Sequence, residues 1–287
     1  KFYFKNLVFD EFDDKTIMVS HGGNAETYLL EPVEYNYNDY NLIALSNLTV
    51  IVGKRNDQNV EEKVKFAAGS GQNPDSMAIT MMVCGPQDED TMEAYEQCFR
   101  DRIIYVPSMG GGVRRKAYLG GELNVTRESP ARYKKIKSDA NETWFTHGVL
   151  DLESGEIIDD KNNLGLLFSD VYEQRWGQKP SGTFYDAYVL LRNYRDVLQK
   201  ALWVNKGNPN QAKLEQAVVD MIADPESNKA LIALAGDYEW IVGEAEGVKV
   251  LDFLQSQTTE KNLRNLVWWN STLYGQKPVF KSELLSQ

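Results

Sequence analysis

A short stretch at residues 66–76 constrains this chain most, because it joins a strand-like run to a helix through small residues. Gly69–Gly71 interrupts the run, and Pro74 then opens an apolar segment with helical character. Proline suits the first turn of a helix, and the loop before it exposes backbone N–H groups whose partial positive charge the helix dipole reinforces. The stretch predicts a cradle for an anion, and an ordinary turn between a strand and a helix is the alternative.

Short apolar runs of strand type alternate with helical stripes through most of the 287 residues. One example is Ile103–Val106, which a glycine break separates from a helical segment at Val113–Leu119. The run Tyr185–Leu191 is interpreted as strand-capable. This alternation predicts an α/β fold with parallel sheets and helices on both faces. Ligands bind such folds at the carboxyl ends of the strands, where the small-residue loops Ser20–Asn24 and Gly69–Ser76 are expected.

The overall charge limits the classes of partner. The formal net charge of -11 disfavours a nucleic-acid partner. It does not exclude an anionic ligand, because bulk charge is screened over about 8–10 Å and backbone dipoles act locally. No apolar run approaches the roughly 20 residues that a membrane-spanning helix needs.

The chain has two cysteines, Cys84 and Cys98, on either side of an acidic turn between two helical segments. A disulfide here would join a helical hairpin and contribute roughly 3 kcal/mol to stability. It would also indicate an oxidising compartment such as the periplasm. Two buried free thiols are the alternative.

Motifs for covalent or metal-assisted chemistry are missing from the sequence. It contains no G-x-S-x-G, no H-E-x-x-H, no paired C-x-x-C and no P-loop, so no cofactor is predicted. A metal site formed by His21, His147 and scattered carboxylates is possible on residue type alone, but ordinary hydrogen bonding explains these histidines as well. Four Asn-x-Ser/Thr sequons are attributed to chance: Asn47, Asn124, Asn141 and Asn270.

Five segments, taken in order, resemble the extracytoplasmic solute receptors of tripartite tricarboxylate transporters, the TctC or Bug family. The resemblance covers nearly the whole chain, although each segment alone is weakly specific. The segments are Asp13–Gly23, Tyr37–Leu45, Phe66–Ser76, Ile104–Val125, and Ala201–Pro209 together with Met221–Pro225.

The resemblance implies a class II periplasmic-binding-protein fold, with two α/β lobes and a ligand cleft between them. Lobe one is expected to contain residues 1–55 and 190–287, and lobe two residues 56–189. The chain is expected to cross between the lobes near Val50–Lys54 and to return near Tyr185–Arg192. Closure of the lobes about this hinge would enclose the ligand.

The resemblance also implies a function that needs no catalysis. A small organic acid would be held by main-chain N–H groups and handed to the membrane subunits of a transporter, which places the protein in the periplasm. The ligand-binding residues expected on this basis are Ser20, His21, Gly22, Gly23, Asn24, Ser70, Gly71, Gln72, Ser76, Arg127, Glu128, Tyr185 and Asp186.

Two departures from the family pattern leave alternatives open. Family members begin with a further strand, loop and helix, and here that unit is expected to be truncated, lost or supplied by a second chain. Arg127-Glu128 replaces the usual Phe-Asp pair, and Arg127 would either bind a carboxylate in bidentate fashion or form a surface ion pair with Glu128 or Glu122. The alternative functions are a non-transport subunit or scaffold in a hetero-complex, and a small-molecule enzyme on the same fold.

Overall fold

The computed structural model describes residues 14–67, 73–107, 109–162, 164–273 and 280–284. The predicted loop residues Ser70, Gly71 and Gln72 lie outside this part of the chain. The strands are β1 (Met18–Ser20), β2 (Tyr40–Asn47), β3 (Ile51–Arg55), β4 (Val64–Ala67), β5 (Ile103–Val106), β6 (Val125–Glu128), β7 (Asn141–Thr146), β8 (Val149–Leu150), β9 (Ile157–Ile158), β10 (Ala201–Asn205) and β11 (Glu239–Val242).

The strands form two principal sheets. The first has four strands in the order β1-β10-β2-β11, and the second has three in the order β6-β3-β7. The chain passes from the first sheet to the second between β2 and β3, and it returns to the first sheet at β10. Two smaller pairs, β4-β5 and β8-β9, complete the described strands.

The prediction of parallel sheets was wrong for both principal sheets. Every strand pair in them is antiparallel, and among the named strands of the described residues only β4 and β5 pair in parallel. The reason is long-range pairing: β10, from the last third of the chain, lies between β1 and β2. Alternation along a sequence predicts parallel pairing only where successive strands are also neighbours in space.

The helices cover much of the remaining described chain. Tyr37–Asp39, Glu93–Tyr95 and Ser282–Leu284 form 3-10 turns, and Trp269–Leu273 forms a π-helical turn. The α-helices are α1 (Gly22–Leu30), α2 (Pro74–Cys84), α3 (Glu96–Arg102), α4 (Gly111–Leu119), α5 (Pro130–Tyr133), α6 (Phe168–Trp176), α7 (Thr183–Val197), α8 (Gln211–Ala223), α9 (Pro225–Ala235), α10 (Glu244–Ser256) and α11 (Glu260–Trp268).

The central helix α7 corrects the interpretation of Tyr185–Leu191 as strand-capable. Phe184, Ala187, Tyr188 and Leu191 are all buried and follow the spacing of one helical face. The helix packs against α1, α2 and α11, so it is surrounded by other elements and both its faces carry buried side chains. This burial obscures the amphipathic signal that identifies a surface helix.

One hydrophobic cluster extends beneath both principal sheets. It includes Leu42 and Leu45 from β2, Val52 from β3 and Phe145 from β7, together with the apolar face of α7. The two sheets are therefore joined through a continuous core on one side.

The predicted disulfide between Cys84 and Cys98 is confirmed. Cys84 is the last residue of α2, and Cys98 lies in α3, so the bond joins the two helices as expected. Its closed loop includes the acidic turn at residues 88–90.

The four sequon asparagines are buried in the folded chain, which agrees with their attribution to chance. Asn47 donates to the carbonyl of Leu150, and Asn124 donates to the carbonyl of Lys63. Asn141 and Asn270 donate to main-chain carbonyls in the same way. Their side-chain amides support loops and helix ends.

Candidate functional site

A pocket of about 340 Å³ lies beside the passage from β2 to β3. Its lining comes from the segments before β3 and before β10, from β6, and from α4, α5 and α9. We call it the inter-sheet pocket, and its lining is Leu48, Val50, Arg114, Arg127, Glu128, Ser129, Ala131, Arg132, Gln199, Lys200 and Leu234.

Cations dominate the charged lining of the inter-sheet pocket. Arg114, Arg127, Arg132 and Lys200 face one acidic residue, Glu128. Glu128 is already neutralised, because its carboxylate oxygens lie 3.3 Å from Arg114 Nη2 and 3.1 Å from Arg115 Nη1. The pocket therefore has a local positive charge in a protein whose formal net charge is -11. Such a site favours an anion.

Arg114 is held rigidly at the edge of this pocket. Its Nη2 donates to the carbonyl of Arg127 at 2.8 Å, and it is also paired with Glu128. Burial lowers the pKa of the Arg114 guanidinium, and the charge of Arg127 acts in the same direction. Arginine remains charged at physiological pH despite such a shift. Arg114 thus presents a fixed cation.

Lys200 is a second unusual cation of the pocket. Burial and, to a smaller extent, the positive charge of Arg132 together lower its pKa to about 8. Its ammonium lies 4.3 Å from the centre of the Tyr238 ring, which is a favourable cation–π distance. The lysine is therefore still largely charged at neutral pH and loses its charge just above it.

We expect Lys200 to titrate well below the ordinary pKa of a lysine side chain. After reductive methylation with an isotope-labelled methyl group, its NMR resonance should move with a midpoint at about 8, because burial favours the neutral amine. The ordinary pKa of a lysine side chain, about 10.4, is the reference value. A Lys200→Arg variant assigns the resonance. A midpoint at that ordinary value would contradict the burial of Lys200.

Behind the pocket, Arg127 belongs to a buried chain of charged groups. Arg127 Nε lies 2.6 Å from Asp75 Oδ2, and Asp75 is fully buried. His147 Nε2 lies 3.3 Å from Asp75 Oδ1, while His147 Nδ1 lies 3.1 Å from Asp196 Oδ2. Arg192 Nε is 3.8 Å from the same Asp196 oxygen. We call Asp75, Arg127, His147, Arg192 and Asp196 the buried ion network.

The network stabilises the charged forms of Arg127 and Asp196. Burial alone would lower the pKa of Arg127, but the charges of Asp75, Asp196 and Glu128 outweigh it, so the pKa is raised. Burial would raise the pKa of Asp196, yet its hydrogen bond with His147 and the nearby cations lower it. Both residues are therefore ionised in the folded protein.

The predicted loop Ser20–Asn24 forms the end of β1 and the start of α1. His21 is the N-cap of α1: its Nδ1 accepts from the Gly23 N–H at 3.0 Å, and Asn24 Oδ1 accepts from the His21 N–H at 3.1 Å. Ser20 is buried, and its hydroxyl accepts a hydrogen bond from Trp203 Nε1 at 2.9 Å. These side chains support the fold in this structure.

Gly22 connects this loop to the inter-sheet pocket. Its N–H donates to Gln199 Oε1 at 3.2 Å, and Gln199 lines the pocket. A Cβ on Gly22 would lie 2.7 Å from Arg195 Cγ, so only glycine fits against the last turn of α7. That same turn carries Asp196, which reaches Asp75 through His147. The start of α1 and the start of α2 are therefore both connected to the same end of α7.

The start of α2 differs from the sequence-based expectation in how its polar groups are used. Asn73 is the N-cap, and its Oδ1 accepts from the Asp75 N–H at 2.9 Å. The Ser76 hydroxyl donates to the Asn73 carbonyl at 2.6 Å and is buried. The sequence predicted a bound anion at the start of this helix. In the structure, the carboxylate in its first turn is the side chain of Asp75.

Two of the predicted site residues lie elsewhere. Tyr185 and Asp186, in the first turn of α7, line a separate pocket of about 630 Å³ with residues of the β8-β9 region and α11. Burial raises the pKa of both side chains. Arg127 and Glu128 are thus brought into the inter-sheet pocket, whereas Tyr185 and Asp186 are not.

Sequence reasoning missed most of the cations of the pocket. Arg114 and Arg132 lie in short helices with no motif of their own, and Lys200 directly precedes β10, also without a motif. Asp75 carried a signal: an acidic residue directly after the helix-opening proline is well placed to interact with the helix dipole. Its burial and its pairing with Arg127 were not predictable from that position.

Within the described ranges, no helix is long and apolar enough to cross a membrane. Within the same ranges, no group of three or more His, Cys, Asp or Glu side chains is arranged to hold a metal ion.

Comparisons with known proteins identify the fold. No protein-family model and no curated protein sequence matches this chain. Among solved structures, a TctC solute-binding protein from Polaromonas, without ligand, matches with a TM-score of 0.50 and 13% identity over 88% of this chain and 78% of the other. The R. palustris protein Rpa4515 with adipate matches with a TM-score of 0.52 and 9% identity, over 90% and 80% of the two chains. The chain therefore has the two-lobe α/β fold of the TctC solute-binding proteins, as the sequence resemblance implied.

Proposed function

We propose that this chain is a solute-binding protein that captures a small organic carboxylate in the inter-sheet pocket. The observation that carries the proposal is the charge of the pocket: three arginines and a lysine surround a space whose only acidic residue among the described lining is already paired. A dicarboxylate of four to six carbons would fit a volume of about 340 Å³.

Arg127 is the best-placed ligand contact in this proposal. Its Nε is paired with Asp75, which fixes the guanidinium, while the side chain remains 14% exposed on the pocket side. A guanidinium that is already oriented loses little conformational freedom when it binds a carboxylate. Arg132 and Lys200 would then contact the second acidic group or neutralise the ligand at the mouth of the pocket.

Several observations favour an extracytoplasmic transport role. The Cys84–Cys98 disulfide is typical of an oxidising compartment. One structural neighbour is a TctC solute-binding protein, and another was solved with adipate. We therefore propose delivery of the ligand to the membrane subunits of a tripartite tricarboxylate-type transporter, with no catalytic step. Lobe one (1–55 and 190–287) and lobe two (56–189) would close on the ligand by a hinge motion at the β2-β3 and α7-β10 passages.

Isothermal titration tests this function. The protein would be titrated with succinate, malate, adipate and an aromatic monocarboxylate, with inorganic phosphate and a neutral diol of matching length as comparison ligands. We expect at least one carboxylate to bind with a Kd in the micromolar range or below, and the diol not to bind. Folded protein that binds none of the carboxylates would contradict the proposal.

An Arg132→Gln variant is expected to weaken carboxylate binding about 3- to 10-fold. Arg132 lines the pocket but is exposed, so its loss removes roughly 1 kcal/mol of attraction without leaving a buried charge unpaired. The measurement is the Kd of the tightest carboxylate from the titrations. Arg100→Gln is the matched control, because Arg100 is also an exposed arginine and is paired with Glu96 in α3. Equal affinities for the two variants would exclude Arg132 from the site.

One observation favours the second candidate, a scaffold subunit of a hetero-complex. The buried carboxylate of Asp75 already lies in the first turn of α2, where an external anion was expected, and a single core joins both sheets. If the Asp75 side chain occupies the place of the ligand carboxylate, a protein with this fold would no longer need a ligand. Native mass spectrometry of the protein isolated from its source separates the candidates, because a scaffold predicts a stable complex with a different chain.

A further inference from the structure

Gln199 is a neutral residue of the inter-sheet pocket whose amide orientation is fixed by the protein. It lies between α7 and β10 and lines the pocket. Its Oε1 accepts a hydrogen bond from the Gly22 N–H at 3.2 Å. Because a backbone N–H can only donate, the oxygen of the amide must face Gly22. The two donors on Nε2 remain for other partners, and no acceptor among the described residues binds them.

Several acceptors among the lining residues are already occupied by the protein itself. The Glu128 carboxylate is paired with two arginines. The carbonyl of Arg127 accepts from Arg114 Nη2 at 2.8 Å, and the carbonyl of Lys200 accepts from the Ser46 N–H at 2.9 Å. A ligand that needs these acceptors would have to displace a hydrogen bond or an ion pair of the folded chain.

The pocket therefore offers a ligand mainly hydrogen-bond donors and positive charge. Arg127 and Arg132 each add a guanidinium, which is a donor only, and Gln199 adds its amide N–H groups. An ammonium group also has donors and no acceptor. The side chain of Ser129 is the one hydroxyl of the described lining, and as a neutral group it does not balance the charge of an ammonium among these cations.

We propose that Gln199 makes the inter-sheet pocket selective for organic acids that carry no amino group. A hydroxyl or keto oxygen on the carbon chain can accept from Nε2, whereas an ammonium cannot. Reversing a diacid in the pocket does not help, because Arg127 is mostly buried and Arg132 is exposed, so a cation lies at either depth. This inference rests on the proposed function and adds to it the class of acid that is bound.

Isothermal titration with matched ligands tests the selectivity in the wild-type protein. Succinate is compared with malate and aspartate, and adipate with its 2-hydroxy and 2-amino derivatives. We expect the hydroxy acid to bind within about 10-fold of its parent diacid, which is the size of one neutral hydrogen bond. We expect the amino acid to bind at least about 30-fold more weakly than the parent, because like charges brought together in a binding site repel strongly.

The outcomes of this titration separate the two proposals. An amino acid that binds within about 30-fold of its parent, or a hydroxy acid rejected as strongly as the amino acid, would overturn the inference and leave the proposed function standing. If no acid of either series binds, the proposed function fails and the inference fails with it.

The role of Gln199 itself is tested by a Gln199→Glu variant, which replaces one nitrogen with oxygen. One carboxylate oxygen still accepts from the Gly22 N–H, and the other provides an acceptor for an ammonium in place of Nε2. We expect the discrimination between the amino acid and its parent diacid to fall at least about 10-fold. Gln178→Glu is the matched control, because Gln178 is exposed and lines a separate pocket. Equal discrimination by the two variants would overturn the assignment of Gln199.

The orientation of the amide has a test that needs no ligand and no variant. Neutron diffraction from deuterium-exchanged crystals of the wild-type protein distinguishes the deuterated nitrogen from the oxygen. We expect the oxygen to face Gly22 and the nitrogen to face the pocket. The opposite orientation would overturn the inference, whether or not the Gln199→Glu variant folds.

Discussion

An Asp75→Asn variant is expected to lose about 3–5 kcal/mol of unfolding free energy relative to the wild-type protein. Asp75 is fully buried, and its oxygens face Arg127 at 2.6 Å and His147 at 3.3 Å. The amide keeps the shape of the side chain but removes its charge, so the guanidinium of Arg127 loses its nearest counter-charge. Urea denaturation monitored by tryptophan fluorescence measures the change.

The control for this experiment is an ion pair of similar length at the surface. Glu246 lies 2.7 Å from Lys249 on α10, and both side chains are exposed. Glu246→Gln should change the unfolding free energy by less than about 1 kcal/mol, because solvent screens such pairs. If Asp75→Asn costs no more than this control, Asp75 is not a buried ion, and the description of the network is wrong.

The second large effect is expected from the disulfide. A Cys84→Ser and Cys98→Ser double variant should lose roughly 3 kcal/mol of stability, because the cysteines are separated by 14 residues and the bond restricts the unfolded chain over that loop. The loss should appear as a lower denaturation midpoint.

Wild-type protein treated with a thiol reductant provides the matched comparison for the double variant. The two should unfold at similar denaturant concentrations, both below the oxidised protein. A wild-type protein whose stability does not respond to reductant, together with an equally stable double variant, would show that the bond does not stabilise the fold.

Local elements were predictable because their signals lie within a few residues. The run Ile103–Val106 became β5, and the segment Val113–Leu119 lies within α4. The cysteine pair was predictable for the same reason, since both residues lie beside one turn. The strand interpretation of Tyr185–Leu191 failed because a helix buried on several sides loses the polar face by which helices are recognised.

Residues of the candidate site were predictable only where the local sequence itself singled them out. Arg127 and Glu128 were selected as a departure from a family pattern, and the structure places both in the inter-sheet pocket. The buried ion network was not predictable, because Asp75, His147 and Asp196 come from widely separated segments. Their meeting depends on long-range strand pairing, which also reversed the predicted direction of the sheets.

The most direct test of the central claim is a crystal structure with a brominated dicarboxylate such as bromosuccinate. Anomalous scattering from bromine locates the ligand independently of any interpretation of weak density. We predict a peak in the inter-sheet pocket, with a ligand carboxylate within hydrogen-bonding distance of the Arg127 guanidinium. A peak in the pocket beside Tyr185 and Asp186, or no ordered bromine at a saturating concentration, would contradict the claim.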